Sequence, residues 1–291
     1  MLADRTCQAA AQEKRDGDMR QRAILLILLL AGLAFGGYWY AENNRKYEAE
    51  WPVMGTVAKF QAKGRFAPDE VESFRKAASE NLARLEKLLS AHDPESEMNR
   101  LFAGWKGDPG ALPDGISEDV APCYKMAFKL RELSGGAFDP YWKGEGKIDL
   151  GAIAKGFALD DTLSKLRADY RFSRDGVKYM LDLGGNLLAL SGSWSTGIRD
   201  PDSEVGIARR IVLEPGFAAA TSGEYERGKH IYDGRTGKPV ENDVASVTVV
   251  HPNSAMLSDG LSTTLFVLGR EKGTKFLSDN FPEARAYWVM K

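Results

Sequence analysis

The stretch Tyr179-Met-Leu-Asp-Leu-Gly-Gly-Asn-Leu-Leu-Ala-Leu190 sets two apolar runs on either side of Gly184-Gly185-Asn186. Glycine takes the positive φ that a tight hairpin demands, so the runs read as neighbouring antiparallel strands. Downstream, Gly206 to Leu213, Gly216 to Thr221, Ala245 to Val250 and Ala284 to Val289 read as further strands, with a helix over Ser258 to Leu268. Upstream, Val71, Phe74, Ala78, Leu82, Leu85 and Leu89 recur at helical spacing, which predicts a helix over Pro68 to Ser90. A second helix is expected over Val120 to Ser134, stopping at Gly135-Gly136, and a third over Ala152 to Leu166 behind a short strand Lys147 to Leu150. Strands and helices follow one another without regular βαβ alternation. The expectation is an α+β fold with mixed, largely antiparallel sheets and packed helices.

One run ahead of this body is different in kind. Ala23 to Tyr40 (AILLILLLAGLAFGGYWY) carries no charge and is just long enough for a spanning helix at about 1.5 Å per residue. Lys14, Arg15, Arg20 and Arg22 precede it, whereas Glu42, Glu48 and Glu50 dilute Arg45 and Lys46 after it, which places the N-terminus in the cytoplasm. No Ala-x-Ala site follows, and Tyr38-Trp39-Tyr40 resembles an interfacial belt, so an uncleaved anchor is favoured over a cleaved signal. The expected organisation is a cytoplasmic tail at 1–22, with Met19 an alternative start, a transmembrane anchor or signal at 23–40, a polar linker at 41–51 and one folded domain at 52–291.

Composition narrows the chemistry. The chain has 291 residues, 39 basic against 41 acidic, and a net charge of −2, which gives no basic field for nucleic acid. Cys7, Cys123, His92, His230 and His251 are too scattered for a zinc site, so a bound metal must be held mainly by oxygen. Asp259 and Thr263 stand four residues apart at the predicted helix start, so a carboxylate and a hydroxyl share one face. That pair suits a hard cation such as Mg²⁺, while an acidic residue there also complements the helix dipole. Asp149-Leu-Gly-Ala-Ile-Ala-Lys155-Gly156 leads into a helix N-terminus that offers free N–H groups to a phosphate, or uses its glycines for close packing. His230 lies in a polar segment with Glu224, Arg227, Asp233 and Arg235, and reads as a general base, a phosphate contact or a structural hydrogen-bonding group.

Taken in order, a series of short segments resembles the FAD:protein FMN transferase (ApbE) family. They are Met54-Gly-Thr56, Ser90 with Pro94-Glu-Ser-Glu97, Gly136-Ala-Phe-Asp-Pro140, the Asp149 to Gly156 turn leading to Asp160, Leu183-Gly-Gly-Asn186 and Thr221 to Arg227. His230-Ile-Tyr-Asp-Gly-Arg-Thr-Gly237 and Ser258-Asp-Gly-Leu-Ser-Thr263 complete the series. The resemblance implies an ApbE-like, T-fold-related body that moves the FMN half of FAD, through a phosphoester, to a threonine or serine of an extracytoplasmic acceptor and releases AMP. It implies FAD against Met54, His92, Ala137, Phe138, Asp139, Asp149, Lys155 and Ile231, and Mg²⁺ at Asp259, Thr263 and the carbonyl of Ala152. It gives His230 a part in deprotonating the acceptor hydroxyl and Lys155 a contact to the pyrophosphate or to the leaving AMP. The acceptor it implies is a membrane redox protein, which puts the chain at a bacterial inner membrane with its domain facing the periplasm or cell exterior. Three positions depart from the family: His92 where an aromatic is usual, Tyr141 where a small hydroxyl residue is common, and Gly234 where proline is usual, which is expected to loosen the turn. A Mg²⁺-dependent FAD pyrophosphatase giving FMN and AMP, and a non-catalytic FAD-binding assembly protein, are the alternatives.

Overall fold

The computed structural model describes residues 2–291 except 104, 106–110, 145–146, 170–171, 173–175, 202, 204–205 and 225–227, with side chains of 2–18, 20, 21 and 23 also left undescribed. Two compact units divide the chain, Met1–Arg45 and Lys46–Lys291. The first is one helix, α1 (Leu2–Asn43). Its segment Ile24–Asn43 has a mean hydropathy of 2.0 and is long and apolar enough to cross a membrane. Helix runs on through the N-terminal residues as well, where Gln8-Ala-Ala-Ala-Gln-Glu-Lys14 is rich in strong helix formers.

In the second unit a seven-stranded sheet has the order β1-β2-β3-β4-β7-β10-β11. Its strands are β1 (Arg45–Val53), β2 (Thr56–Gly64), β3 (Val177–Leu183), β4 (Asn186–Ser191), β7 (Ala218–Gly223), β10 (Val244–His251) and β11 (Arg285–Met290). From β2 across to β11 every pairing is antiparallel. The Gly184-Gly185 hairpin forms as read, with φ of 62° and 91° at the two glycines.

Residues 45–51, expected to be linker, instead form most of β1. Tyr47 and Trp51 pack on the core, and the intervening Glu48 and Glu50 both pair with Lys59 on β2. Their charges therefore face outward along a half-buried strand, which is the alternation that a linker reading overlooks. Residues 147–150, expected to be a strand, carry no regular structure.

The helices are α2 (Pro68–Leu89), α3 (Glu97–Phe102), α4 (Ala121–Leu133), α5 (Ala154–Arg167), α6 (Ala255–Leu268) and α7 (Arg270–Asn280). Side chains alternate faces along the strands, so Leu181 and Leu183 join the main core with the helices while Met180 faces the other way. There Met180, Ala189, Ala219 and Val250 meet Trp194, Ile198, Ile211 and Leu213 of a separate two-stranded ribbon, β5 (Trp194–Arg199) with β6 (Ile207–Leu213). Each fully buried Leu or Phe contributes about 1.5–3 kcal/mol, so this two-sided core fixes the sheet as a rigid base for the loops at its rim. The α+β, largely antiparallel expectation holds.

Candidate functional site

Two cavities open at that rim. One, of about 450 Å³, is lined by His92, Asp139, Asp149, Lys155, Asp259 and Thr263 among others. The second, of about 410 Å³, is lined by Met54, Thr56, Glu86 and Ser90, and shares His92, Asp149, Gly151 and Lys155 with the first. They form one two-lobed cleft.

Helix α6 starts earlier than the sequence reading placed it. Ser254 is its N-cap, accepting from Leu257 N–H, and no acidic residue lies in its first turn. Asp259 therefore sits one turn inside, where it does not serve the helix terminus. That terminus is held by Asp160 of α5, whose carboxylate accepts from Ser254 Oγ at 2.9 Å, Ala255 N–H at 2.7 Å and Met256 N–H at 3.0 Å. Burial pushes the Asp160 carboxyl above its ordinary range, opposed by those hydrogen bonds.

One turn back on α5, Gly156 N–H donates to Asp259 Oδ2 at 2.9 Å. A Cβ on Gly156 would lie 2.2 Å from the Ala255 carbonyl oxygen and 2.7 Å from Asp259 Cβ, so only glycine lets the helices approach this closely. Because the Gly156 N–H is spent on Asp259, no backbone N–H of the described residues donates to the Ala152 carbonyl, four residues back. Asp259 is 5% exposed, and its Oδ1 has no hydrogen-bond partner among the described residues. Thr263 Oγ1 lies 3.1 Å from Ser222 Oγ, which also meets Ser262 Oγ at 2.9 Å. Asp259, Thr263 and Ala152 thus line one cavity with a carboxylate, a hydroxyl and an undonated carbonyl. Among the described residues no cluster of three or more His, Cys, Asp or Glu could hold a metal. The all-oxygen donor set fits a hard cation that keeps waters and takes the rest of its shell from a substrate.

The same cavity also carries cations. Lys155 Nζ donates to the Gly151 carbonyl at 2.9 Å, and among the described residues it pairs with no carboxylate. Asp149 accepts from Gly151 N–H at 2.8 Å and pairs with Lys143 Nζ at 2.6 Å, so it is not Lys155's partner.

His230 is exposed, lines the cavity, and has Nδ1 within 2.8 Å of the Gly228 carbonyl. A carbonyl only accepts, so Nδ1 donates in that contact, and no described residue bonds Nε2. The next residues fold as a small hairpin, β8 (Tyr232–Asp233) with β9 (Lys238–Pro239), whose turn is braced by Arg235 donating to both oxygens of Asp233. The Arg235 hydrogen bonds hold the Asp233 carboxyl below its ordinary range. Gly234 does not loosen this turn. Its N–H donates to the Ala137 carbonyl at 3.2 Å, and a Cβ there would meet Asp139 Cβ at 2.3 Å, so the glycine locks the hairpin onto the Ala137–Asp139 loop.

Ala137 and Phe138 are buried in that loop, Asp139 is tied to Arg131 Nε at 3.0 Å, and Ile231 is 7% exposed. All four line the first cavity, whereas Met54 lines only the second. Met54 has φ of 51° and Gly55 of 68°, the pattern of a tight β1–β2 hairpin turn, and Met54 N–H is held by Glu86 Oε1 at 2.7 Å. A non-glycine residue there stores about 1–3 kcal/mol of strain that the Glu86 bond helps to hold. His92 is exposed at the junction of the lobes. Tyr141 is outside the cavity lining, its hydroxyl pushed up to about 12 by burial. Tyr225, Glu226 and Arg227 lie outside the described residues. His251 pairs with Glu283 at 3.2 Å away from the cleft.

Two residues in the wall carry no signal in the sequence. Trp142 and Tyr232 stack at 4.3 Å and 16°, and both line the first cavity. They lie on separate loops, and no local pattern connects them.

The ApbE family model matches residues 54–144 and 141–288. The chain belongs to the ApbE family. A curated relative from Treponema pallidum (strain Nichols), an FAD:protein FMN transferase, is 26% identical over 91% of this chain and 90% of its own length. A Vibrio cholerae relative of the same name is 38% identical over a shorter stretch, 43% of this chain and 40% of its own. The solved ApbE protein of Thermotoga maritima superposes with a TM-score of 0.71 at 24% identity, over 84% of this chain and 94% of that one, which shows the shared fold. The expected membership of a family of transferase enzymes is met.

Proposed function

We propose that the chain transfers the FMN half of FAD to a threonine or serine hydroxyl of an acceptor protein, with AMP as the leaving group. The observation that carries this reading is the juxtaposition, in one cleft, of the Asp259, Thr263 and Ala152 oxygens with the Lys155 ammonium, which has no carboxylate partner among the described residues. Breaking a pyrophosphate needs charge neutralisation and in-line positioning more than covalent help from the protein. Mg²⁺ bound by Asp259, Thr263 and the Ala152 carbonyl would supply Lewis-acid stabilisation of the phosphoryl charge. Lys155 contacts the pyrophosphate and offsets charge on the departing AMP. The acceptor hydroxyl attacks the FMN phosphorus, its proton passes to His230 Nε2, the bond to the AMP oxygen breaks, and a phosphoester to the acceptor remains.

A ligand made of two nucleotide halves suits a cleft of two lobes that share His92, Asp149, Gly151 and Lys155. The predicted contacts of Met54, Ala137, Phe138, Asp139 and Ile231 belong to that same ligand. The apolar segment Ile24–Asn43, long enough to cross a membrane, supports an anchor in a bacterial inner membrane, and the charges flanking it favour a folded domain on the periplasmic side. The acceptor is then an extracytoplasmic protein, a membrane redox protein or its flavin-carrying domain. Incubating the full chain with FAD, Mg²⁺ and a candidate acceptor and measuring the acceptor mass tests the proposal. A covalent FMN increment is expected; release of free FMN and AMP with unmodified acceptors would make the chain a pyrophosphatase instead.

A further inference from the structure

Glu86 of α2 lines the smaller lobe and no part of the larger one. Its Oε1 accepts from Met54 N–H at 2.7 Å, which fixes the carboxylate against the β1–β2 turn. Its Oε2 is open to solvent and has no hydrogen-bond or cation partner among the described residues. A carboxylate without a cation repels phosphoryl oxygens but accepts strong hydrogen bonds from hydroxyl groups. The same lobe presents the hydroxyl residues Thr56 and Ser90 and the apolar Met54, Leu89 and Ala91. Lys155, shared with the larger lobe, is the one lysine or arginine among the described residues lining it. Such a lining suits the sugar and base of a nucleotide better than its phosphates.

We infer that Glu86 is a substrate-contacting residue whose Oε2 accepts a hydrogen bond from a ribose hydroxyl of the AMP half, which makes the smaller lobe the AMP lobe. The choice of half rests on the transfer reading. In-line attack puts the acceptor hydroxyl and the departing AMP oxygen on opposite sides of the FMN phosphorus. His230, Asp259 and Thr263 line only the larger lobe, so the AMP half extends away from them, past Lys155, toward Glu86.

The test pairs Glu86→Gln, which keeps an oxygen for Met54 N–H and removes the charge, with a nucleotide that lacks the hydroxyls. AMP, 2′,3′-dideoxy-AMP and riboflavin each compete with FAD for the full chain in the presence of Mg²⁺, and melting temperature is measured without ligand. The wild type should bind AMP about ten- to a hundredfold more tightly than the dideoxy nucleotide, the range for a hydrogen bond to a charged group. Glu86→Gln should lose most of that discrimination, bind the dideoxy nucleotide and riboflavin as the wild type does, and melt near the wild-type temperature. Equal affinities for the two nucleotides in the wild type, or undiminished discrimination in Glu86→Gln, overturn the assignment. A loss confined to riboflavin puts the ribityl chain against Glu86 and also overturns it. Parallel losses for all three ligands together with melting temperature make Glu86 only a brace for the Met54 turn, and binding of FAD without competition by AMP removes the AMP lobe; either result does the same. If the wild type shows the expected nucleotide pattern but modifies no acceptor, the transfer reading fails while the Glu86 contact stands; if it binds neither FAD nor AMP, both fail.

Discussion

Replacing Gly156 by alanine tests the feature on which the proposed cation site depends, the close approach of α5 to α6. The added Cβ would sit 2.2 Å from the Ala255 carbonyl oxygen, where 3.4 Å is an ordinary contact, so the two helices must part by about 1 Å. The same movement takes Gly156 N–H out of reach of Asp259 Oδ2, now 2.9 Å away. Overpacking costs about 1–3 kcal/mol and the lost hydrogen bond to a charged group about 1.5–3 kcal/mol, while alanine returns about 0.5–1 kcal/mol of helix propensity. A net loss of about 2–5 kcal/mol leaves most domains of ordinary stability folded. Displacing a positioned group by about 1 Å costs on the order of a hundredfold in rate.

Gly260→Ala is the comparison, since its Cβ would meet Leu130 Cδ1 at 2.5 Å and Ile153 Cδ1 at 3.3 Å, both ends of flexible side chains. Melting curves, Mg²⁺ titrations of activity and single-turnover rates on both variants decide the matter. Gly156→Ala should lose stability and require far more Mg²⁺, and Gly260→Ala should show smaller losses in both. Wild-type melting and Mg²⁺ dependence in Gly156→Ala would refute the argument, as would equal Mg²⁺ defects in the two variants.

Asp259→Asn should abolish Mg²⁺-dependent transfer, with a milder loss for Thr263→Ala because a neutral hydroxyl contributes less to a hard cation; turnover of Asp259→Asn at ordinary Mg²⁺ would reject the ligand assignment. His230→Gln should lower the single-turnover rate by about 10²–10⁴ with little change in FAD affinity or melting temperature, and parallel losses in all three would make His230 a loop brace. Asp160→Asn should destabilise the chain by about 1–3 kcal/mol, since the carboxamide cannot accept all of the Ser254, Ala255 and Met256 hydrogen bonds. Burial raises the folded Asp160 value above the unfolded one, so this group's increment of stability is fully present at low pH and is lost as pH rises through the folded value. The variant should lack that slope in pH-dependent melting, and an unchanged slope would assign it to another group. A reporter fused after Lys46 should be active only outside the cytoplasm, and activity only inside would overturn the topology.

What could be read from the sequence was whatever depends on neighbours along the chain. The spacing of Val71, Phe74, Ala78 and Leu82 is a local property of one helix, and Gly184-Gly185 announces its own turn, so α2 and the β3–β4 hairpin were legible. Strand β1 was not, because Glu48 and Glu50 look like linker charges until Lys59 on the next strand is there to meet them. The site divides along the same line. Asp259 and Thr263 were singled out by their four-residue spacing on one helix, while Ala152 entered only through the family resemblance. Its physical reason is tertiary: the carbonyl is left undonated because the Gly156 N–H turns to a carboxylate on another helix. Gly234 illustrates the same limit with the opposite sign. Judged locally, a glycine in place of proline means a looser turn, but packed against Asp139 it is the residue that permits a tight one. Gly156 and Asp160, one turn apart on α5, meet Asp259 and the start of α6, also about one turn apart, so two helices with unremarkable sequences become a single clamp on the carboxylate. The arrangement of the proposed cation ligands is therefore a property of the α5–α6 pair, and neither helix alone contains it.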